Sequence, residues 1–181
     1  MVKRKKSYIK KINQLDTLSV HAGVKTDPLT GAVMTPIYAT STYAHDRPGE
    51  HKGYEYSRSQ NPTREVLENS IAELESGYKA FAFASGVAAQ TAVLDLLKPG
   101  DHVIAFDDLY GGTFRLFNEI KSKSSNIEFT FVDLNKNFSK EIKKNTKMIW
   151  VETPTNPLLK ITDLKRIARI ARKNKLITVC D

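Results

Sequence analysis

Apolar and polar positions along the 181 residues fall into two regimes. Residues 1–55 show no sustained periodicity. They hold Pro28, Pro36 and Pro48, with glycines at 23, 31, 49 and 53. Such a stretch predicts an extended arm with turns. From Asn61 the pattern changes. Asn61-Pro62 is an N-cap followed by proline at the first helical position. Val66, Leu67, Ile71 and Leu74 then recur at helical spacing until Ser76-Gly77 stops the helix.

Beyond that point strands and helices alternate. Ala80–Ala84 is a short apolar run read as a strand. Gly86–Leu97 is an apolar helix closed by Pro99-Gly100. His102–Phe106 is a strand, and Thr113–Lys121 a helix with Phe114, Phe117 and Ile120 on one face. Ile127–Val132 is a β-branched and aromatic strand. Phe138–Lys144 is a short charged helix, Lys147–Val151 a strand and Thr162–Lys173 a helix. Leu176–Cys180 reads as a buried strand, with Asp181 directly after it. This alternation predicts an α/β fold with a mainly parallel, helix-covered sheet and right-handed crossovers.

Composition agrees with a folded core: 40% of residues are hydrophobic and 27% charged. No apolar run approaches the roughly 20 residues needed to span a bilayer. One cysteine, Cys180, excludes a disulfide framework and a cysteine-rich zinc site, and is expected to be a small buried hydrophobe. The histidines at 21, 45, 51 and 102 have no ligand spacing, so no metal is expected.

The net charge is +8. Lys3, Arg4, Lys5, Lys6, Lys10 and Lys11 precede the first acid, Asp16. Taking those six from the 28 basic residues leaves 22 against 20 acidic ones, so the body is nearly neutral. The tail reads as a solvated terminus. Nucleic-acid binding through it is the competing reading, and the near-neutral body without a nucleic-acid module argues against that. No apolar segment of a secretory signal follows the tail, and it is Lys-rich where mitochondrial presequences favour Arg and Ser, so the expected compartment is cytoplasmic.

In open α/β sheets ligands sit at the carboxyl ends of strands, and three such ends carry suggestive residues. At Phe83-Ala84-Ser85-Gly86-Val87 a strand turns through Ser-Gly into a helix. Glycine lets backbone approach an anion, and the helix start offers free N–H groups. The same Ser-Gly also serves as a plain helix cap. No Gly-Lys-Ser/Thr follows, and no Gly-x-Gly-x-x-Gly occurs. At Asp107-Asp108-Leu109-Tyr110-Gly111-Gly112-Thr113, Tyr110 can lie over a flat ligand or be a partly buried loop residue. At Glu152-Thr153-Pro154-Thr155-Asn156-Pro157, two prolines stiffen a loop that aims Glu152 and Asn156 at a ligand or caps a turn. Asp181 at a strand end suits a cationic ring nitrogen, or an N-cap.

Taken in order, TPIYATSTY (35–43), GYEYSRSQNPTR (53–64), FASGVAA (83–89), DDLYGGTFRLF (107–117), ETPTNP (152–157) and ITVCD (177–181) resemble one family. It is the Cys/Met-metabolism group of pyridoxal-phosphate (PLP) enzymes, which includes cystathionine γ-synthase and cystathionine γ-lyase. The likeness runs from about Asp16 to Asp181, and the joint order of six strings makes it specific.

The resemblance implies a three-layer PLP-dependent transferase fold of the aspartate aminotransferase-like type. Residues 1–55 would be an arm against a neighbouring subunit, and 56–181 the N-terminal part of the PLP-binding domain. It implies that Ser85, Gly86 and Val87 meet the cofactor phosphate. Tyr110 would stack on the pyridine ring and move protons in γ-substitution. Asp181 would pair with the ring nitrogen. Asn156 would bond the cofactor's phenolic oxygen or the substrate carboxylate, and Arg115 would lie on the substrate side. Tyr56 and Arg58 would grip the phosphate of a neighbouring subunit, in a homotetramer built as a dimer of dimers.

The implied substrates are small amino acids: cystathionine, O-acylhomoserine and cysteine. O-acylhomoserine sulfhydrylase and methionine γ-lyase are alternatives within the family. The family's cofactor-bonding lysine lies downstream of the aspartate, in a Ser/Thr-x-Thr-Lys setting that residues 1–181 do not contain. The expectation is therefore an N-terminal half that does not catalyse alone, with its last strand at an open sheet edge. The alternative of another class is a non-catalytic fragment that binds PLP phosphate or full-length subunits.

Overall fold

The computed structural model describes residues 15–181, so the basic residues of the tail lie outside it. Chain contacts divide the protein into two compact units, Met1–Ala82 and Phe83–Asp181.

In the first unit, helix α1 (Leu15–His21) stands where the sequence predicts extended chain. It is held by α2 (Pro62–Leu74) rather than by its own short pattern. Ser70 Oγ donates to the Ala22 carbonyl at 2.6 Å. Gly23 sits at φ +71°, and a Cβ there would meet Ser70 and Val66 backbone at 2.6 to 2.7 Å. Only glycine permits both that conformation and that approach. Among the described residues, the arm beyond α1 is loop apart from a hairpin of β1 (His45–Arg47) and β2 (Glu50–His51). Helix α2 starts as predicted: Asn61 Oδ1 accepts from the Thr63 and Arg64 amides, with Pro62 at the first turn.

The second unit contains α3 (Gly86–Leu94), β3 (His102–Phe106) and α4 (Gly111–Arg115), which runs on through a π-helical stretch (Leu116–Lys121) to a last turn (Ser122–Ser124). After these come β4 (Glu128–Val132), β5 (Thr146–Val151), α5 (Leu164–Lys173) and β6 (Ile177–Cys180). The four strands form one parallel sheet in the order β4-β3-β5-β6. The predicted parallel α/β architecture is therefore present.

Strand order decides the layers. β3 to β4 steps one way along the sheet and β5 to β6 steps the other. Right-handed crossovers then put α4 and α5 on opposite faces. Side chains agree. Phe117 stacks on Phe129 at 4.8 Å and meets Trp150 edge-on at 5.0 Å, so the α4 run covers the face holding Phe129, Phe131 and Trp150. Helix α5 buries Ile167 and Ala171, and its Arg166 donates to the carbonyls of Leu134 and Lys136 in the β4–β5 connection. Central β3, covered on both sides, is buried along its whole length.

Four local expectations are corrected. Ala80–Ala84 is irregular chain, because β4 and β6 are the sheet edges and neither pairs with it; its Ala82 amide donates to Glu68 instead. The charged segment 138–144 keeps only a 3-10 turn at Ser139–Glu141, since Ile142 turns extended (φ −75°, ψ 108°) and the Lys143 amide bonds Thr146 Oγ1. The π-helical stretch, bonded i→i+5, swings Ile120 off the face it was expected to share with Phe117, and it is exposed. Strand β6 is not buried, because it is the edge strand, and Cys180 is exposed rather than a core residue. Partial desolvation and the neighbouring Asp181 carboxylate push its thiol pKa up.

One buried titratable group has a measurable consequence. His102 opens β3 and is fully buried, with Nδ1 2.7 Å from Thr146 Oγ1 and Nε2 2.8 Å from Thr130 Oγ1. Burial, then the Lys143 charge, hold its pKa below the ordinary value. A histidine whose folded pKa is depressed takes up its proton more readily when unfolded. Its contribution is thus complete above about pH 6.5 and is lost as pH falls below that. Denaturant unfolding at about pH 7.5 and about pH 5 should show wild type losing more stability than His102→Gln. Equal losses in the two proteins would assign the acid sensitivity to the carboxylates.

Candidate functional site

The second unit carries a cleft of about 570 Å3 at the carboxyl ends of its strands, lined by Ser85, Gly86, Val87, Gln90, Tyr110, Glu152, Thr153, Pro154 and Asp181. That volume suits a small ligand or cofactor. Three elements build it.

The first is the start of α3. Ser85 has extended backbone (φ −159°), and its Oγ accepts from the Ala88 amide at 3.1 Å. That caps one of the helix's free donors and leaves the amides of Gly86 and Val87 at the cleft. A Cβ on Gly86 would meet nothing within 4 Å. The protein itself therefore does not need glycine there, whereas an anion approaching those amides does. Gly86→Ala should leave stability unchanged, or raise it by about 0.5 kcal/mol, while weakening phosphate-bearing ligands. Calorimetric titration beside thermal unfolding checks both halves; unchanged affinity would sink the anion role of this turn.

The second is the loop after β3. Tyr110 opens α4, and its ring lies against Gly112, where a Cβ would come within 2.4 Å of the ring edge. Gly112 thus seats the ring. The Tyr110 amide donates to Glu152 Oε2 at 3.0 Å.

The third is the loop after β5, with the end of β6. Glu152 is 6% exposed, and its Oε1 accepts the Asn156 amide at 2.8 Å. One carboxylate therefore joins the two loops. Asp108 repeats the device: its Oδ2 accepts the Thr155 hydroxyl and the Leu158 amide. Asp181 continues the β5–β6 ladder, its amide donating to Val151 O at 2.8 Å and its carbonyl accepting from Thr153 N at 3.2 Å. Its Oδ2 accepts from Gln90 Nε2 at 2.7 Å.

The structure thus brings Ser85, Gly86, Val87, Tyr110 and Asp181 to one cleft. Asn156 sits on the adjoining loop, exposed, tied through its backbone to Glu152. Arg115 is exposed on α4 beside Gly111 and is not among the lining residues. Tyr56 and Arg58 belong to the first unit, where the guanidinium lies 4.8 Å from the Tyr56 ring centre. Gln90 and Thr113 were not legible as site residues. For Gln90 the available signal was a polar side chain in the mostly apolar GVAAQTAVL, one turn below the Ser-Gly cap.

Chemically, the cleft offers amide donors for an anion at one wall, an aromatic face, and a carboxylate for a cation. Among the described residues no three His, Cys, Asp or Glu gather as a metal site, and no helix is long and apolar enough to cross a membrane. Fold and cleft define a parallel α/β protein with a strand-end cleft whose amides, aromatic ring and carboxylate suit a flat, anionic, nitrogen-bearing ligand.

Comparison with known proteins narrows that class. Residues 16–181 match the family described as Cys/Met metabolism PLP-dependent enzyme, and the chain belongs to that family. It is 56% identical over 173 residues to a cystathionine beta-lyase of Coxiella burnetii, covering 94% of this chain and 45% of the relative. It is 51% identical over 167 residues to a cystathionine gamma-lyase of Bacillus subtilis, covering 91% and 44%. A solved cystathionine gamma-lyase from Lactobacillus plantarum, complexed with L-serine, superposes with TM-score 0.88 at 45% identity, covering 93% of this chain and 44% of that one. The chain spans about half the length of the curated relatives it matches.

Proposed function

We propose that residues 83–181 form the cofactor-binding face of a PLP-dependent enzyme that makes or breaks the C–S bonds of cystathionine. The observation that carries this reading is the single cleft in which a helix start, an aromatic ring and a carboxylate converge. Each matches one part of pyridoxal phosphate: the phosphate, the ring face and the ring nitrogen. When bound, the cofactor supplies an electron sink for the pair left at the substrate α-carbon.

The residues divide the work. Ser85, Gly86 and Val87 hold the phosphate through the hydroxyl and the free amides. Tyr110 covers the ring and moves a proton with its hydroxyl. Asp181 holds the proton on the ring nitrogen. Asn156 bonds the phenolic oxygen or the substrate carboxylate, and Arg115 takes the substrate side. Tyr56 and Arg58 belong to the phosphate site of a neighbouring subunit, which residues 1–55 reach as an arm. On this reading the assembly is a dimer of dimers.

The relatives named beta-lyase and gamma-lyase support cystathionine as the substrate. The probable cystathionine gamma-synthase of Herpetosiphon aurantiacus, 47% identical, supports the forming direction. The test is to express these residues together with the lysine-bearing remainder of the enzyme, supply PLP and cystathionine, and identify the keto acid. Pyruvate marks β-cleavage and 2-oxobutyrate γ-cleavage. Cystathionine formed from O-acylhomoserine and cysteine marks γ-replacement. A protein that binds no PLP and forms none of these products would overturn the reading.

A further inference from the structure

Gln90 is a buried amide with a specific set of partners. It is 7% exposed and stands within the apolar run of α3. Burying an amide is unfavourable unless its hydrogen bonds are made. Here they are made to two other elements. Nε2 donates to Asp181 Oδ2 at 2.7 Å and lies 2.9 Å from Thr113 Oγ1 on α4, and that hydroxyl in turn donates to Gln90 Oε1 at 3.2 Å. A carboxylate only accepts, so the amide must turn its NH2 towards Asp181. Thr113, fully buried, holds the amide in that orientation.

Asp181 needs such a partner. Its backbone is fixed by the β5–β6 ladder, but its side chain is exposed, and apart from Gln90 no described residue donates to its carboxylate. The Gln90 bond occupies Oδ2. Among the described residues Oδ1 takes no donor, so it remains for a ligand in the cleft. Gln90 also lies four residues after Gly86, on the same helical face and about 6 Å along the axis. One helix therefore presents its anion-binding end and, a turn below, the group that aims the carboxylate.

We propose that Gln90 is a positioning residue, which with Thr113 fixes the Asp181 carboxylate towards the ring nitrogen of the cofactor. This rests on the PLP reading above. Gln90 itself touches neither the ring nor the substrate. It acts by removing the rotational freedom of Asp181 and by adding a donor that keeps its charge in place.

The test uses protein stripped of cofactor and two ligands: pyridoxal phosphate, and its 1-deaza analogue with carbon in place of the ring nitrogen. Dissociation constants are measured by equilibrium dialysis. Wild type should prefer pyridoxal phosphate over the analogue. Gln90→Met, which keeps the length of the side chain without the amide, should weaken pyridoxal phosphate by about tenfold and leave the analogue within about twofold, so that the preference disappears. Thr113→Val should shift the same ratio in the same direction by less, and it decides the matter if Gln90→Met does not fold. A variant that weakens both ligands by one factor has a purely structural glutamine and overturns the inference, as does an unchanged ratio. Wild type that binds neither ligand, or both equally, would instead refute the cofactor reading or the role of Asp181, and the inference with it.

Discussion

In an enzyme that also carries the family's cofactor-bonding lysine, Asp181→Asn should lower turnover on cystathionine by about 10²- to 10³-fold, the range for losing one preorganised charge at a reacting group. The substitution keeps the shape of the side chain and its backbone bonds to Val151 and Thr153. It removes the negative charge that holds a proton on a ring nitrogen beside it. A neutral amide does not offset that proton, so the electron-withdrawing power of the ring falls at the step that needs it most. The asparagine oxygen can still accept from Gln90 Nε2, so folding stability should move by no more than about 1 kcal/mol. Steady-state assays paired with denaturant unfolding separate the two effects. Activity within a few-fold of wild type would remove Asp181 from the chemistry.

Glu152→Ala should produce the largest change in the architecture of the cleft. The buried carboxylate accepts two amides, from Tyr110 and Asn156, and its loss leaves both donors unpaired. Bonds to a charged group contribute about 1.5 to 3 kcal/mol each, so the pair places the expected loss near 3 kcal/mol or more. The two loops are then joined mainly by Asp108 through Thr155 and Leu158. With its loop released, the Tyr110 ring no longer has a fixed seat, and PLP affinity should fall with stability. Glu152→Gln separates charge from geometry. Its amide oxygen can still accept one N–H, but its NH2 faces the other donor, so it should recover about half of the loss. Unfolding of the alanine variant at the wild-type denaturant concentration would show that the clamp contributes nothing.

These two residues differ in how much of their role lies in local sequence. Asp181 follows an apolar run at a strand end, a position that already suggested a ring-nitrogen partner. Glu152 was legible as part of a rigid loop, but its task was not, because its partner Tyr110 is 42 residues away. Gln90 was not legible at all: its carboxylate partner is 91 residues away, and the intervening periodicity carries no trace of the pairing. Thr155 and Asp108, 47 apart, were equally silent.

Local signals were reliable where the physics is local. The Asn61 and Ser85 caps, the stop after Leu74 and the strand-helix alternation from His102 onward are decided within a few residues, by orphan amides, backbone conformation and side-chain period. The sequence alone therefore determined the parallel α/β class, the strands from His102 onward and the Ser85 cap that starts α3, but not α1, nor the absence of a strand at 80–84 and of a full helix at 138–144. Sheet order is not a local property. It depends on which strand finds which neighbour: β6 is the edge that the sequence led one to expect, but only the sheet order shows that this exposes Cys180 and leaves Ala80–Ala84 without a ladder. Tertiary structure also decided that Gln90, Thr113 and Asp181 share one set of hydrogen bonds, because only packing α3, α4 and β6 together brings three buried or strand-end polar groups within reach of one another.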